Sequence, residues 1–203
     1  MYGLGGNALD DAAVRRIFAA KERASDAPRI GHVGAAAELP RAARKIPPLA
    51  LVLARAFWPG PLTLVVRKRP EVPDSATAGF DTVAVRVPAH PVALGLIRAS
   101  GVPIAAPSAN RFTRTSATTA QHVLEDLGGR IDMVLDGGPT AFGVESSVVD
   151  VTGDAVRLLR PGALTLEALE AGVGPGAPGP GEGRPASPGV MAVERSFSTM
   201  SRG

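Results

Sequence analysis

Apolar positions along the chain follow two periods. Residues 10–23 carry Val14, Ile17, Phe18 and Lys21 at helical spacing behind Asp10 and Asp11, which predicts a helix. Helices are also predicted at 48–58, closed by Pro59-Gly60, at 90–99, from Thr118 or Thr119 to Leu127 before Gly128-Gly129, and at 164–169. Short apolar or alternating runs rich in β-branched residues predict strands at 30–33, 62–66, 82–87, 103–106, 132–135, 147–151 and 156–159. Helices and strands interleaved in this way predict an α/β domain.

The composition supports one packed domain. Of 203 residues, 45% are hydrophobic, which excludes disorder throughout. From position 171 to 190, seven glycines and five prolines leave too few apolar side chains for a core, so 170–203 reads as a linker and tail behind a domain at 1–169. No run of about 18 apolar residues predicts a membrane span, and the N-terminus lacks a signal-peptide pattern, so the cytoplasm is the expected compartment. Cysteine is absent, which excludes disulfide scaffolds, thiolate zinc sites and cysteine nucleophiles. His32, His90 and His122 are widely separated and have no metal-ligand spacing. The net charge is +3, with nine Lys/Arg against five Asp/Glu in the first 60 residues. An anionic ligand fits this excess but is not named by it.

Arg86 is the most informative single residue. Within Thr82-Val83-Ala84-Val85-Arg86-Val87, alternation puts Thr82, Ala84 and Arg86 on one face and the valines on the other. A charge there needs a partner or a polar groove. The choices are an exposed sheet face, or a groove that receives a carboxylate or phosphate, which guanidinium binds bidentately. Lys21-Glu22-Arg23 ends the first helix, as a solvated terminus or an anion contact. Ala105 to Asn110 follows a buried strand, as a local turn or as backbone approaching a ligand. Gly137-Gly138 and the 143–147 segment match neither glycine-rich nucleotide fingerprint. No nucleophile–base pair is present, so any reaction would rest on positioning and electrostatics.

Seven segments, taken in order, resemble the YrdC-like family of threonylcarbamoyl-AMP synthases. They are Tyr2-Gly3-Leu4-Gly5-Gly6-Asn7-Ala8, Lys21-x-Arg23-x-Ser25-Asp26, Phe57-Trp58-Pro59-Gly60-Pro61-Leu62-Thr63, the strand ending at Arg86, Ala106-Pro107-Ser108-Ala109-Asn110, Gly143-Val144-Glu145-Ser146-Ser147-Val148-Val149-Asp150 and Leu159-Arg160-Pro161-Gly162-Ala163. The resemblance implies a twisted, mixed β-sheet flanked by helices with a cationic groove. It also implies a nucleotidyltransferase that condenses L-threonine, bicarbonate (or CO2) and ATP into threonylcarbamoyl-AMP and pyrophosphate. That product serves threonylcarbamoyladenosine modification of tRNA, with tRNA-modification proteins as partners and Mg2+ arriving with ATP. Matching the family's pattern position by position, Lys21, Arg23, Ser108 and Asn110 would serve the reaction. Arg23, Thr82, Ser108, Ser116 and Arg160 would contact ATP. Tyr2, His32, Arg86, Ala106 and Ser146 would surround L-threonine; no protein metal site is implied.

Measured against the same pattern, the chain is expected to lack the family's first strand and helix, roughly 30 residues with substrate-binding threonines. Ala27 stands where the family carries an asparagine, and Ser187-Pro188-Gly189-Val190 resembles the linker of two-domain members. A truncated chain is expected to be less stable and to bind threonine weakly. The alternatives are an inactive fragment, a non-catalytic module binding tRNA or double-stranded RNA, and a carbamoyl-phosphate-using relative from hydrogenase maturation. The last carries cysteine-rich zinc modules, which this chain does not have.

Overall fold

Alternation in the central strands decides which side chains meet the helices. A computed structural model of the protein describes residues 1–22, 27–140, 145–153 and 156–173. Arg23, Gly143, Val144 and the expected tail beyond position 173 lie outside the described residues. In chain order the elements are β1 (Gly6–Asn7), α1 (Asp11–Lys21), β2 (Ile30–His32), a 3-10 turn (Ala36–Arg41), β3 (Ala43–Lys45), α2 (Pro48–Phe57) and β4 (Leu62–Lys68). They continue with α3 (Asp74–Thr77), β5 (Thr82–Arg86), α4 (Pro91–Ser100), β6 (Ile104–Ala105), α5 (Ala120–Leu127), β7 (Ser147–Asp150), β8 (Arg157–Arg160) and α6 (Leu166–Val173). The eight strands form one sheet in the order β1-β6-β2-β5-β4-β7-β8, with β3 also on β4. It is mixed: β2–β5 and β4–β7 are parallel, while β4–β5, β2–β6 and β7–β8 are antiparallel. β5 takes one edge of β4, so β7 and β3 share the other, at Leu62–Val65 and Arg67–Lys68 respectively.

The helices start and stop where their termini are satisfied. The Asp10 carboxylate accepts from the Ala12 and Ala13 amides, and Thr119 accepts from the His122 amide. Prolines open α2 and α4, and Gly101, at φ 67°, ends α4. Leu64 pairs with Val85 and with Val149, and Val66 with Val83. Their side chains join Val14, Ile17, Ala50, Leu53 and Leu169 in the main core, so α1, α2 and α6 cover one sheet face. On the other face Val65, Val148, Leu159 and Ala84 form a small apolar patch. Thr82 and Arg86 share that face with Ala84, as the alternation predicts.

One predicted strand is corrected. Residues 132–135 belong to no sheet among the described residues. Ile131 and Val134 turn inward onto Ala109, Ala117, Val123 and Leu127, while Met133 and Leu135 are exposed. The pattern was that of a strand; no neighbouring strand supplies its hydrogen bonds.

The loop after β6 stores strain. Thr113 has φ 71°, a left-handed conformation that a β-branched residue disfavours. It is pinned there by Asn110 Nδ2, which donates to the carbonyls of Arg111 (2.9 Å) and Arg114 (2.7 Å). Arg111 and Arg114 are in turn paired with Glu22 and Asp126. Thr113→Gly is expected to stabilise the fold by about 1 kcal/mol, a rise of about 2–4 °C in Tm by thermal denaturation. A lower Tm would show that the threonine side chain contributes more than its backbone costs.

Candidate functional site

Two groups of predicted residues come together at neighbouring strand ends. The first is built by α1 and the segment after β6. Lys21, buried in the last turn of α1, donates from Nζ to the carbonyl oxygens of Ser108 and Asn110, both at 2.5 Å. The end of α1 is thereby joined to a loop nearly 90 positions away in sequence. The N-terminal segment braces the same loop: Gly3 bridges Ser108, and the Ala109 amide donates to the Tyr2 carbonyl at 2.9 Å. The Tyr2 hydroxyl contacts Asp136 at 2.9 Å and the Gly138 carbonyl at 2.8 Å.

The second group lies on the sheet face opposite the main core. His32 pairs with Arg86 on one side and with Ile104 on the other, so those flanking strands stand about 10 Å apart. Arg86 donates from Nε to the Gly60 carbonyl at 2.8 Å. Gly60 must be glycine: a Cβ would come within 2.3 Å of the Phe57 carbonyl oxygen. Arg160, from β8, donates to the Ser146 carbonyl from Nε and Nη2, to Ser146 Oγ at 3.2 Å, and pairs with Glu145. Gly162 lets β8 close on this corner, since a Cβ there would meet the 145–147 backbone at 2.5 Å. Ala106 joins the two groups through its amide, which donates to the Ile30 carbonyl of β2.

The electrostatics of this second group are one-sided. Burial pushes the Arg86 guanidinium below its ordinary value, and the charge of Arg160 pushes it further. Burial, with the Arg86 charge behind it, lowers the Met1 amino group as well. His32 is driven down to about 4, first by burial and then by Arg86, and so is neutral near pH 7. Its Nδ1 lies 3.3 Å from the Ile104 carbonyl, which places the ring proton on that nitrogen. Among the described residues Arg86 has no carboxylate partner, and the single acid of the corner, Glu145, is paired with Arg160. A bound oxyanion would offset the part of these shifts that comes from neighbouring positive charge.

The remaining predicted residues stand apart. Thr82 shares the Arg86 face but sits four residues earlier on β5, about 13 Å away along the strand. Ser116 is half-buried in the loop before α5. Sequence reasoning missed Thr63, whose wholly buried hydroxyl lies 2.8 Å from Ser146 Oγ. A polar residue inside the apolar run 62–66 was the available signal, the same one that drew attention to Arg86.

The Sua5/YciO/YrdC family model, described as telomere recombination, matches residues 1–162. The chain belongs to this family. Among curated relatives of this Sua5/YciO/YrdC chain, the threonylcarbamoyl-AMP synthase of Pyrococcus abyssi is 53% identical over 174 residues, covering 86% of this chain and 51% of the relative. That of Bacillus subtilis is 49% identical over 176 residues, with the same two coverages. The solved structure of P. abyssi Sua5 complexed with L-threonine superposes with a TM-score of 0.82 at 54% identity, over 85% of this chain and 51% of that one. Escherichia coli YciO, at 22% identity and a TM-score of 0.73 over 83% of this chain and 82% of that one, shares the fold. The chain spans about half the length of the first two curated relatives. No helix among the described residues is long and apolar enough to cross a membrane.

Proposed function

We propose that this family member binds L-threonine and ATP and acts in forming threonylcarbamoyl-AMP. The observation that carries the reading is Arg86, a guanidinium on the sheet face that donates to the Gly60 carbonyl and has no carboxylate partner among the described residues. A carboxylate suits that charge, and the name of the threonine complex of P. abyssi Sua5 supports threonine as its bearer. ATP would lie toward Lys21, Ser108 and Asn110, on the far side of β2.

In the proposed reaction the threonine amine bonds the carbon of CO2 and loses a proton. A carbamate oxygen then attacks the α-phosphorus of ATP, and pyrophosphate leaves. Arg86 would hold the threonine carboxylate, so that the amine is the end left free to react. Neutral His32 would offer a hydrogen-bond acceptor without adding a proton to the amine. Lys21, by gripping two carbonyls, fixes the loop that carries Ser108 and Asn110. Among the described residues no group of three or more His, Asp or Glu side chains could bind a metal on its own. Asn110 Oδ1, however, is buried without a hydrogen-bond partner, and this hard oxygen fits a magnesium ion delivered by ATP. Such an ion would neutralise triphosphate charge as pyrophosphate departs. The chain is expected to release pyrophosphate from ATP only when L-threonine and bicarbonate are both present. Pyrophosphate release that ignores L-threonine would overturn the reading.

A further inference from the structure

A buried pair of hydroxyls lies beside Arg86. Thr63 pairs with Val148 on β7, one step along β4 from the Leu64–Val85 pair, which brings it next to Arg86. Its side chain is wholly buried, and among the described residues its hydroxyl meets only Ser146 Oγ, at 2.8 Å. Ser146 Oγ also receives Arg160 Nη2 at 3.2 Å, and a guanidinium can only donate. Each hydroxyl has one proton to give. If Ser146 gave its proton to Thr63, the Thr63 proton would be buried with no acceptor, the costly arrangement. Ser146, at 2% exposure, is equally confined, and only donation from Thr63 to Ser146 gives both protons an acceptor once an oxyanion lies at Arg86 to take the Ser146 proton. Both Ser146 lone pairs are then engaged, by Thr63 and by Arg160, and its own O–H remains to be given elsewhere.

We propose that Thr63 is a positioning residue that turns the Ser146 hydroxyl into a fixed donor toward the oxyanion held at Arg86. Under the proposed function that oxyanion is the carboxylate of L-threonine, and the inference rests on that reading. Neither residue contacts ATP in this scheme, so the effect falls on threonine alone. Within the pair, Ser146 makes the contact and Thr63 acts through it.

Calorimetric titration of the full 203-residue chain with L-threonine, and separately with ATP, tests this. Thr63→Val preserves shape and removes the hydroxyl; it is expected to weaken L-threonine about tenfold while ATP affinity stays within about twofold. Thr63→Ser keeps the hydroxyl but loses a buried methyl, so it should recover threonine affinity while lowering Tm. Affinity and stability thus move in opposite directions across the two variants, which a packing role would not produce. Ser146→Ala should match Thr63→Val, and the double variant should lose no more than either. Wild-type threonine affinity in Thr63→Val, or equal weakness in Thr63→Ser and Thr63→Val, would overturn the proposal and leave the functional reading standing. A wild-type chain that binds ATP but shows no heat with L-threonine would overturn both.

Discussion

Arg86→Gln is expected to weaken L-threonine binding by about a hundredfold or more while leaving the fold intact. A charge-assisted, bidentate hydrogen bond to a carboxylate that ends up largely desolvated is worth about 3 kcal/mol, and about 2.7 kcal/mol corresponds to a hundredfold in Kd. The fold should barely notice, because the guanidinium makes a single hydrogen bond within the described residues, to the Gly60 carbonyl. Burial and Arg160 both oppose its charge, so removal also relieves a repulsion. Glutamine keeps enough length to donate to Gly60. Calorimetry with L-threonine, paired with thermal denaturation, separates the outcomes. Loss of affinity at constant Tm marks a cation held for a ligand. A collapse in Tm would instead mark Arg86 as a structural strut, and unchanged affinity would place the carboxylate elsewhere.

That prediction draws on a feature visible before any coordinates. A charged residue inside a β-branched run is anomalous wherever the strand lies, and alternation assigned Arg86 and the three valines to the faces they occupy. The helices were legible for a similar local reason: Asp10, Thr119 and Gly101 cap their ends through contacts within a few residues. What was not legible depends on neighbours. β1 and β3 are two and three residues long, and they are strands only because β6 and the far end of β4 offer them an edge. The reverse holds at 132–135, where an apolar run suggests a strand and no edge is on offer among the described residues. The site divides in the same way. Nothing local in Lys21, Ser108 or Asn110 says that an ammonium from α1 reaches two carbonyls beyond β6; only the family resemblance grouped them. Gly60 and Gly162 act through what they leave out, room for the Phe57 carbonyl and for the 145–147 backbone, and a sequence does not display room.

His32 should dominate the loss of stability on mild acidification. Its folded-state value is about 4, against an ordinary 6.5, because burial and then the Arg86 charge oppose protonation. The folded chain therefore refuses a proton that the unfolded chain accepts. Its contribution is fully present above about pH 6.5 and is lost as pH falls to about 4, with a slope approaching 1.4 kcal/mol per pH unit and a total of about 3 kcal/mol. Carboxylates act in the same direction but start lower. Glu71, held at about 2 by Arg69, and Asp11, Glu22, Asp126 and Asp136, all lowered, begin to matter only as the unfolded carboxylates titrate. The Met1 amino group, lowered from 8.0, titrates from a higher starting point. His32→Asn isolates the imidazole, since the amide Nδ2 stands where the ring Nδ1 does, can still donate to the Ile104 carbonyl and does not titrate. Urea unfolding from pH 7.5 to 4 should give a declining wild-type stability and a nearly flat variant down to about pH 4.5. Parallel curves for the two proteins would mean that His32 takes up its proton without opposition, and hence that Arg86 does not press upon it.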